Sequence, residues 1–269
     1  MCRLLGYLGP PVGLDELLYG PEHSLVVQSY QPREMEALMN ADGFGLGWYA
    51  CARSSDPFRY RNTAPIWSDL NLPHLSRYVE SSCILGYVRS ATPGLSVDFS
   101  NCQPFSSENL SVGHRLLFTH NGYINRFRQT LYRPIRNALS DEIYQAIQGT
   151  TDSEHLFALI LNQLQTVAGI SLQQALVNAL AQLGEMARAF GVYFCANVLL
   201  ADGQQLIAAR CASESPAPSL YWLRGSSAHP DAAIVASEPL FDADWERCPE
   251  NSTLGVGTDG AVSIRSLQA

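Results

Sequence analysis

The hydrophobic period changes twice along this chain of 269 residues, and that change restricts the fold more than any other feature. Apolar composition typical of strands occurs in four early segments: CRLLGYLG from Cys2, Gly43–Ala52, Ser81–Arg89 and His114–His120. We expect the first of them to end at the breaker Gly9-Pro10-Pro11. Asp152–Ala168 and Ser171–Phe190 then place apolar residues at helical spacing, and Gly169 and Gly191 follow them where helix C-termini favour glycine.

Strand character returns after this helical pair, with hairpin turns predicted at Asp202-Gly203 and Asp259-Gly260. The predicted strands are Gly191–Ala201, Gln204–Cys211, Leu220–Arg224, Ala232–Ser237, Ser252–Val256 and Ala261–Ser266. Strands, two helices and further strands indicate a layered α+β fold. The chain contains no linker-like stretch, so we expect a single domain over residues 2–269.

All 17 basic side chains are arginines, and the absence of lysine excludes P-loop, Schiff-base and protein-kinase chemistry. The net charge is −8 and the arginines are scattered, so we expect neither a nucleic-acid nor a membrane partner. No apolar run approaches the roughly 18 residues that span a bilayer, and no signal peptide is evident, which predicts a cytoplasmic protein. Neither the seven cysteines nor the six histidines have metal-ligand spacing, so we expect no metal.

One segment matches a nucleotide-binding pattern, but the residues that follow it do not suit a nucleotide site. The segment from Gly255 to Gly260 matches G-x-G-x-x-G, but only nine residues follow it and they have strand character. A dinucleotide site needs a helix start and a later acidic residue there. We therefore interpret this segment as a hairpin.

Cys2 is the most unusual residue, because removal of Met1 would leave a thiol and a free α-amine on one residue. An α-amine has a pKa near 8 in model compounds, so it can act as the base for its own thiol without a histidine. Taken alone, a cysteine at position 2 is more often a coincidence. The case for a nucleophile therefore depends on other motifs.

Four further motifs carry polar groups suited to such chemistry, and each has a structural alternative. His120-Asn121-Gly122 ends an apolar strand and could direct an amide and a backbone N–H at an oxyanion, although such a tripeptide is more often a turn. Arg89 could bind a carboxylate with its planar fork or be a surface arginine, and Asp152 could bind an ammonium or cap a helix. The glycines of Asn40–Trp48 indicate a bulged or closely approached strand.

In order and spacing, these five motifs resemble the glutaminase domain of class II glutamine amidotransferases, which are N-terminal-nucleophile (Ntn) hydrolases. The resemblance implies a four-layer αββα sandwich of two antiparallel sheets between helices and no cofactor. It also implies catalytic roles for Cys2, Asn121 and Gly122, the last two as the oxyanion hole. The residues that it implies for binding a small-molecule γ-glutamyl substrate are Arg89, Thr92, Asp152 and Asn40.

Further segments are similar to one branch, the γ-glutamyl hydrolases of ergothioneine biosynthesis, which act on γ-glutamyl-hercynylcysteine sulfoxide. They are Val27–Arg33, Leu38–Trp48, Ala64–Trp67, Gln103–Phe105 and Ala236–Pro239. The chain departs from many class II members at two places. It has Met39-Asn40 where they have an Arg-Gly pair, and Gln103 where they have a histidine.

The resemblance leaves the leaving group and the partners open. The aromatic residues Trp48, Tyr49 and Trp67 could face a trimethylammonium group, or they could be core residues. Two alternatives remain, a glutaminase subunit that supplies ammonia to a partner synthase and a catalytically silent binding protein of the same fold. A homo-oligomer is possible, but the sequence does not determine it.

Overall fold

Two antiparallel sheets lie between helices in the computed structural model, which describes residues 2–34, 39–90, 97–258 and 260–267. The strands are β1 Arg3–Gly13, β2 Phe44–Trp48, β3 Phe58–Asn62, β4 Glu80–Val88, β5 Phe105–Ser106, β6 Leu117–Ile124, β7 Phe194–Ala201, β8 Gln205–Ala212, β9 Tyr221–Arg224, β10 Ala233–Ala236, β11 Glu246–Arg247, β12 Ser252–Gly257 and β13 Val262–Ser266. The helices are α1 Leu14–Leu18, α2 Leu25–Tyr30, α3 Leu72–Tyr78, α4 Tyr132–Asn137, α5 Asp141–Ala146, α6 Asp152–Thr166 and α7 Leu172–Phe190.

The strand order is β11-β9-β10-β1-β4-β2-β3 in the first sheet and β13-β12-β8-β7-β6-β5 in the second. Successive side chains of a strand point to opposite faces, and β1 shows the consequence. Leu4 packs between the two sheets, whereas Leu5 packs under the helices α1 to α3. A third cluster joins Phe118 of β6 to Leu156 of α6 and Leu176 of α7. The predicted order of layers, αββα, is therefore confirmed.

The long helices follow the sequence closely. Thr151 caps α6 by accepting a hydrogen bond from the Glu154 amide, and Gly191 ends α7 with φ +60°, as its position after the last apolar residue predicts. Helix α6 ends at Thr166, two residues before the predicted end at Ala168. Among the described residues, no helix is long and apolar enough to cross a bilayer.

Two strand predictions were wrong in ways that matter for the site. Strand β1 does not end at Gly9 but continues to Gly13, and a register shift against β4 between Leu8 and Val12 accommodates the two prolines. Strand β6 runs on past His120 to Ile124. Asn121 and Gly122 therefore lie inside a strand, not in a turn after it.

Candidate active site

Cys2 lies directly before β1, where the first sheet meets β6 of the second. Its backbone nitrogen donates a hydrogen bond to Asn121 Oδ1 at 3.0 Å, a contact between residues 119 positions apart. Its Sγ lies 3.0 Å from Tyr87 Oη and 3.7 Å from the Ser90 carbonyl oxygen. The contact with Asn121 brings the predicted nucleophile and a predicted oxyanion donor together across the two sheets.

The alternation of side chains explains why these groups converge. Leu4 of β1, Leu85 of β4 and Leu117 of β6 all point into the space between the sheets. An even number of residues separates Leu4 from Cys2, Leu85 from Tyr87 and Arg89, and Leu117 from Asn121. The side chains of these four residues therefore face the same space. Cys2, Asn121 and Arg89, three of the predicted site residues, therefore share the inter-sheet face at one end of the sandwich with Tyr87.

Asn121 is 1% exposed and has a divided role. Its Oδ1 accepts the Cys2 nitrogen, whereas its buried Nδ2 has no hydrogen-bond partner among the described residues. Burying an amide N–H without a hydrogen bond costs free energy, and such unpaired groups occur where a ligand completes the hydrogen bonding. Asn121 Nδ2 is thus available to an oxygen atom that arrives beside Cys2.

The Gly122 amide faces the open edge of β6. The Asn125 amide donates to Tyr193 in the β6–β7 register, so the amides of residues 120, 122 and 124 face the opposite edge. There His120 N donates to Gln103 Oε1 at 2.5 Å and Ile124 N donates to Asp152 Oδ2 at 2.8 Å. The Gly122 amide points out between these two side chains, as a second oxyanion donor requires.

Only glycine fits at position 122. A Cβ atom there would lie 2.0 Å from the Cys195 carbonyl oxygen and 2.4 Å from His120 Nε2. His120 is buried and is held by Ser153 Oγ at Nδ1 and by the Cys195 carbonyl at Nε2. Burial lowers the pKa of His120, so the ring is neutral and packs as a structural neighbour of this edge.

Arg89 follows the last residue of β4 and is 3% exposed. Its backbone pairs with the loop before β2, because Arg89 N donates to Gly43 O at 2.8 Å and Asp42 N donates to Arg89 O at 3.1 Å. One guanidinium nitrogen is buried without a hydrogen-bond partner among the described residues. A buried cation with an unused donor is suited to a carboxylate ligand.

Asn40 lies in the loop that pairs with Arg89, and Asp152 lies at the edge of β6. Asn40 is fully buried at the start of the loop before β2, and its backbone N–H donates a hydrogen bond to Ser29 O at 2.6 Å. The Asp152 carboxylate begins α6 and accepts from the Ile124 and Ser153 amides. Asp152 thus stands two residues along the strand edge from Gly122. Thr92 lies outside the described residues.

Gln103 occupies the place where many relatives were expected to carry histidine. Its side-chain amide makes the pair of hydrogen bonds to the β6 backbone that a neighbouring strand would make. Gln103 Oε1 accepts from His120 N, and Nε2 donates to His120 O at 3.1 Å. The side chain is 2% exposed. Gln103 therefore holds the strand that carries Asn121, a role that the sequence departure alone did not indicate.

Behind Cys2 lies a buried ionic cluster around Glu238, which is 1% exposed. Arg3 forms an ion pair with Glu238 at 2.8 Å and donates through its other end to the Cys2 carbonyl at 2.9 Å. His23 Nε2 lies 2.7 Å from Glu238, and the amides of Arg33 and Glu34 donate to the same carboxylate. The cluster therefore ties the Cys2 backbone to the segment that leads towards Asn40.

The acid stability of the fold should depend on Glu238. Burial by itself raises the pKa of Glu238, but the His23 and backbone hydrogen bonds and the Arg3 charge outweigh it and lower the pKa from 4.5 to about 2. A carboxylate with a lowered folded-state pKa stabilises the fold above its unfolded value and loses that effect as the pH falls. We expect a contribution on the order of 3 kcal/mol at neutral pH that disappears between about pH 4.5 and pH 2.

Urea unfolding at a series of pH values measures this contribution. The wild type should lose stability more steeply than Glu238→Gln across that window, while Glu108→Gln, which removes a partly exposed ion pair with Arg59, should follow the wild type. Parallel curves for the wild type and Glu238→Gln would contradict the assignment. A carbon-13 NMR titration of the wild-type carboxyl gives the same answer if the variant unfolds.

The three aromatic residues considered for a trimethylammonium group do not form one cage. Tyr49 is 4% exposed and donates to the Arg115 and Ala201 carbonyls, so it is a core residue. Trp48 points to the opposite face and stacks on Phe58. Trp67 is 41% exposed and makes an edge contact with Tyr30 at 5.9 Å.

Tyr87 is the residue at this site that sequence reasoning missed. Its signal was hidden because it stands in the apolar run of β4 and has strand character like its neighbours. The alternation along β4 does place it on the face of Arg89, but only the fold shows that this face meets Cys2.

The αββα sandwich and the hydrogen bond from Cys2 N to Asn121 Oδ1, with a strand-edge amide and a buried arginine nearby, are the arrangement of an Ntn-type amidohydrolase. Residues 21–224 match the family described as class-II glutamine amidotransferases. The chain belongs to this family.

Relatives are similar along nearly the whole chain. A probable glutamine amidotransferase (DUG3) of Saccharomyces cerevisiae is 29% identical over 95% of this chain and 82% of its own. A γ-glutamyl-hercynylcysteine sulfoxide hydrolase of Mycobacterium tuberculosis is 32% identical over 99% of this chain and 97% of its own. The solved structure of a glutamine aminotransferase class-II domain protein from Silicibacter pomeroyi superposes with a TM-score of 0.69, 28% identity and full coverage of both chains.

Proposed function

We propose that this protein hydrolyses the γ-glutamyl amide bond of γ-glutamyl-hercynylcysteine sulfoxide through a thioester on Cys2. One observation carries the amidohydrolase chemistry, namely the hydrogen bond from Cys2 N to Asn121 Oδ1 with Asn121 Nδ2 left for an oxyanion. The choice of substrate is supported by relatives of that name at 31% and 32% identity. It is also supported by the segments that resemble that branch.

In the proposed reaction, removal of Met1 turns the Cys2 nitrogen into an amine, which takes the thiol proton directly or through a water. The thiolate attacks the γ-carbonyl carbon, and Asn121 Nδ2 and the Gly122 amide stabilise the oxyanion. The C–N bond then breaks and the α-ammonium returns its proton to the leaving amine. Water activated by the same α-amine hydrolyses the thioester and releases glutamate.

Arg89 and Asp152 would bind the glutamyl end in this reaction. The buried guanidinium is complementary to the α-carboxylate, and the Asp152 carboxylate is complementary to the α-ammonium. A substrate that lacks either charge would leave its partner unpaired in a partly buried site, which selects for the glutamyl group. Thr92 and Asn40 remain proposed substrate-binding residues.

For the leaving group, we propose that the Tyr30 and Trp67 rings receive the trimethylammonium. Both rings are exposed, by 45% and 41%, and they meet edge to face. Tyr30 directly follows Ser29, which is bonded to Asn40, so the pair stands beside the loop that borders Arg89. Exposed aromatic faces attract quaternary ammonium groups, whereas glutamine offers no cation at its amide.

The test compares glutamine with γ-glutamyl-hercynylcysteine sulfoxide as substrates of the wild type and Trp67→Ala. We expect the conjugate to be preferred, and Trp67→Ala to lower kcat/KM for the conjugate by about fivefold while glutamine turnover is unchanged. Tyr78→Ala, which removes a ring that is 71% exposed at the end of α3, should behave like the wild type. Rapid cleavage of glutamine with the conjugate untouched would contradict the substrate and favour the ammonia-supplying glutaminase.

A further inference from the structure

Tyr87 contacts the sulfur that the proposed function makes the nucleophile. The side chain is 2% exposed within the apolar cluster between the sheets, and its Oη lies 3.0 Å from Cys2 Sγ. A buried phenol needs a hydrogen-bond partner, and the sulfur provides one. The sulfur has a second contact, the Ser90 carbonyl oxygen at 3.7 Å, which can only accept.

These two contacts favour one direction for the hydrogen bond between Tyr87 and Cys2, with the phenol as the donor. The thiol hydrogen can point to the Ser90 carbonyl, so the Tyr87 hydroxyl is left to donate to the sulfur lone pair. Burial raises the pKa of Tyr87 well above its ordinary value, which keeps the hydroxyl protonated and able to donate at working pH. When the thiol loses its proton, the bond from Tyr87 remains and is strengthened by the charge on sulfur.

The surrounding charges do not replace this donor. Arg3 is adjacent to Cys2, but its guanidinium is engaged by Glu238 and the Cys2 carbonyl. Arg89 shares the face of Tyr87, but its guanidinium makes no hydrogen bond to Cys2 Sγ among the described residues. The Asp152 carboxylate accepts from the Ile124 amide of β6. His120 of β6 faces away from the sulfur towards Ser153 and is kept neutral by burial.

We propose that Tyr87 is a further catalytic residue, whose hydroxyl donates a hydrogen bond to Cys2 Sγ and stabilises the thiolate before and after acyl transfer. The inference depends on the proposed role of Cys2 as nucleophile. No proton leaves Tyr87 in this role. The α-amine takes the thiol proton, and the phenol supplies a fixed donor in a space that excludes water.

The test follows the pH dependence of Cys2 alkylation by iodoacetamide in protein freed of Met1. Modification of the N-terminal peptide is read by mass spectrometry, with the exposed Cys51 as an internal reference. Tyr87→Phe removes one oxygen and should move the midpoint of the Cys2 profile up by about one pH unit, lowering the rate at pH 7 about tenfold. The Cys51 profile should not move.

Tyr49→Phe is the matched control, because Tyr49 is a buried inter-sheet tyrosine that donates to backbone carbonyls. It should lower thermal stability without moving the Cys2 midpoint. In the opposite direction, 3-fluorotyrosine at position 87 keeps the ring and is a stronger donor, so it should move the midpoint down. This variant also decides the question if Tyr87→Phe does not fold.

A Cys2 midpoint that is the same in the wild type, Tyr87→Phe and the fluorinated protein would overturn the inference. Its failure is distinguishable from failure of the proposed function. The latter would appear as processed wild type that neither cleaves a γ-glutamyl amide nor takes up the glutamine analogue 6-diazo-5-oxo-L-norleucine on Cys2. The alkylation profile can be read in either case.

Discussion

Protein whose Cys2 nitrogen remains acylated is expected to cleave γ-glutamyl amides roughly 10²- to 10⁴-fold more slowly than protein with a free N-terminal cysteine. An amide nitrogen has no basic lone pair, so it can neither take the thiol proton nor activate the hydrolytic water. The sequence contains no lysine, so no side-chain amine can replace the α-amine. His120 faces Ser153 instead of the sulfur, and burial lowers its pKa, so it does not replace the α-amine either.

Both forms can be obtained from one precursor that carries a removable N-terminal tag ending directly before Cys2. Turnover is measured before and after proteolysis on the same preparation, and matching thermal unfolding curves exclude a difference in folding. Because Cys2 N already donates to Asn121 in the unprocessed chain, we expect the site to be largely formed before cleavage. Equal turnover by the two forms would contradict the α-amine as the base.

Asn121→Asp is expected to lower kcat by about 10²- to 10³-fold with little change in KM, as loss of one oxyanion donor does elsewhere. The substitution keeps an oxygen for the Cys2 nitrogen but replaces the unpartnered Nδ2 donor with a group that repels the oxyanion. The loss should fall on kcat because the interaction is made in the transition state and not in the bound substrate.

Asn162→Ala provides the control for this variant. Asn162 is a buried asparagine of α6 that bonds the backbone at Ser140 and Ala138, on the helical side of the second sheet. Loss of the Asn162 side chain should reduce the stability of the fold and leave the kcat of the folded enzyme unchanged. If Asn121→Asp retained the wild-type kcat, Asn121 would not be the oxyanion donor, and its only role would be to hold Cys2.

The short-range parts of the fold were predictable, because they depend on residues that are close in sequence. The period of α7 and the glycine that ends it are examples, as is the β7–β8 hairpin around Gly203. The end of β1 was not predictable from its prolines, because pairing with β4 outweighs a local breaker. The five short helices were missed because each has too few turns to show a period.

The sequence by itself predicted the kind of site, since Cys2, Arg89, Asn121 and Asp152 stand in motifs whose order indicates this chemistry. The tertiary structure alone decided how these groups meet. In the structure, Asn121 Oδ1 accepts a hydrogen bond from Cys2 N while its Nδ2 is left for an oxyanion, and Tyr87 Oη contacts Cys2 Sγ. The physical reason is the long separation of these contacts in sequence, because Cys2 and Asn121 meet across the two sheets over 119 residues, and Cys2 and Tyr87 meet between neighbouring strands of the first sheet over 85 residues. Such contacts are set by how the strands pair and how the sheets pack, and no local period predicts them.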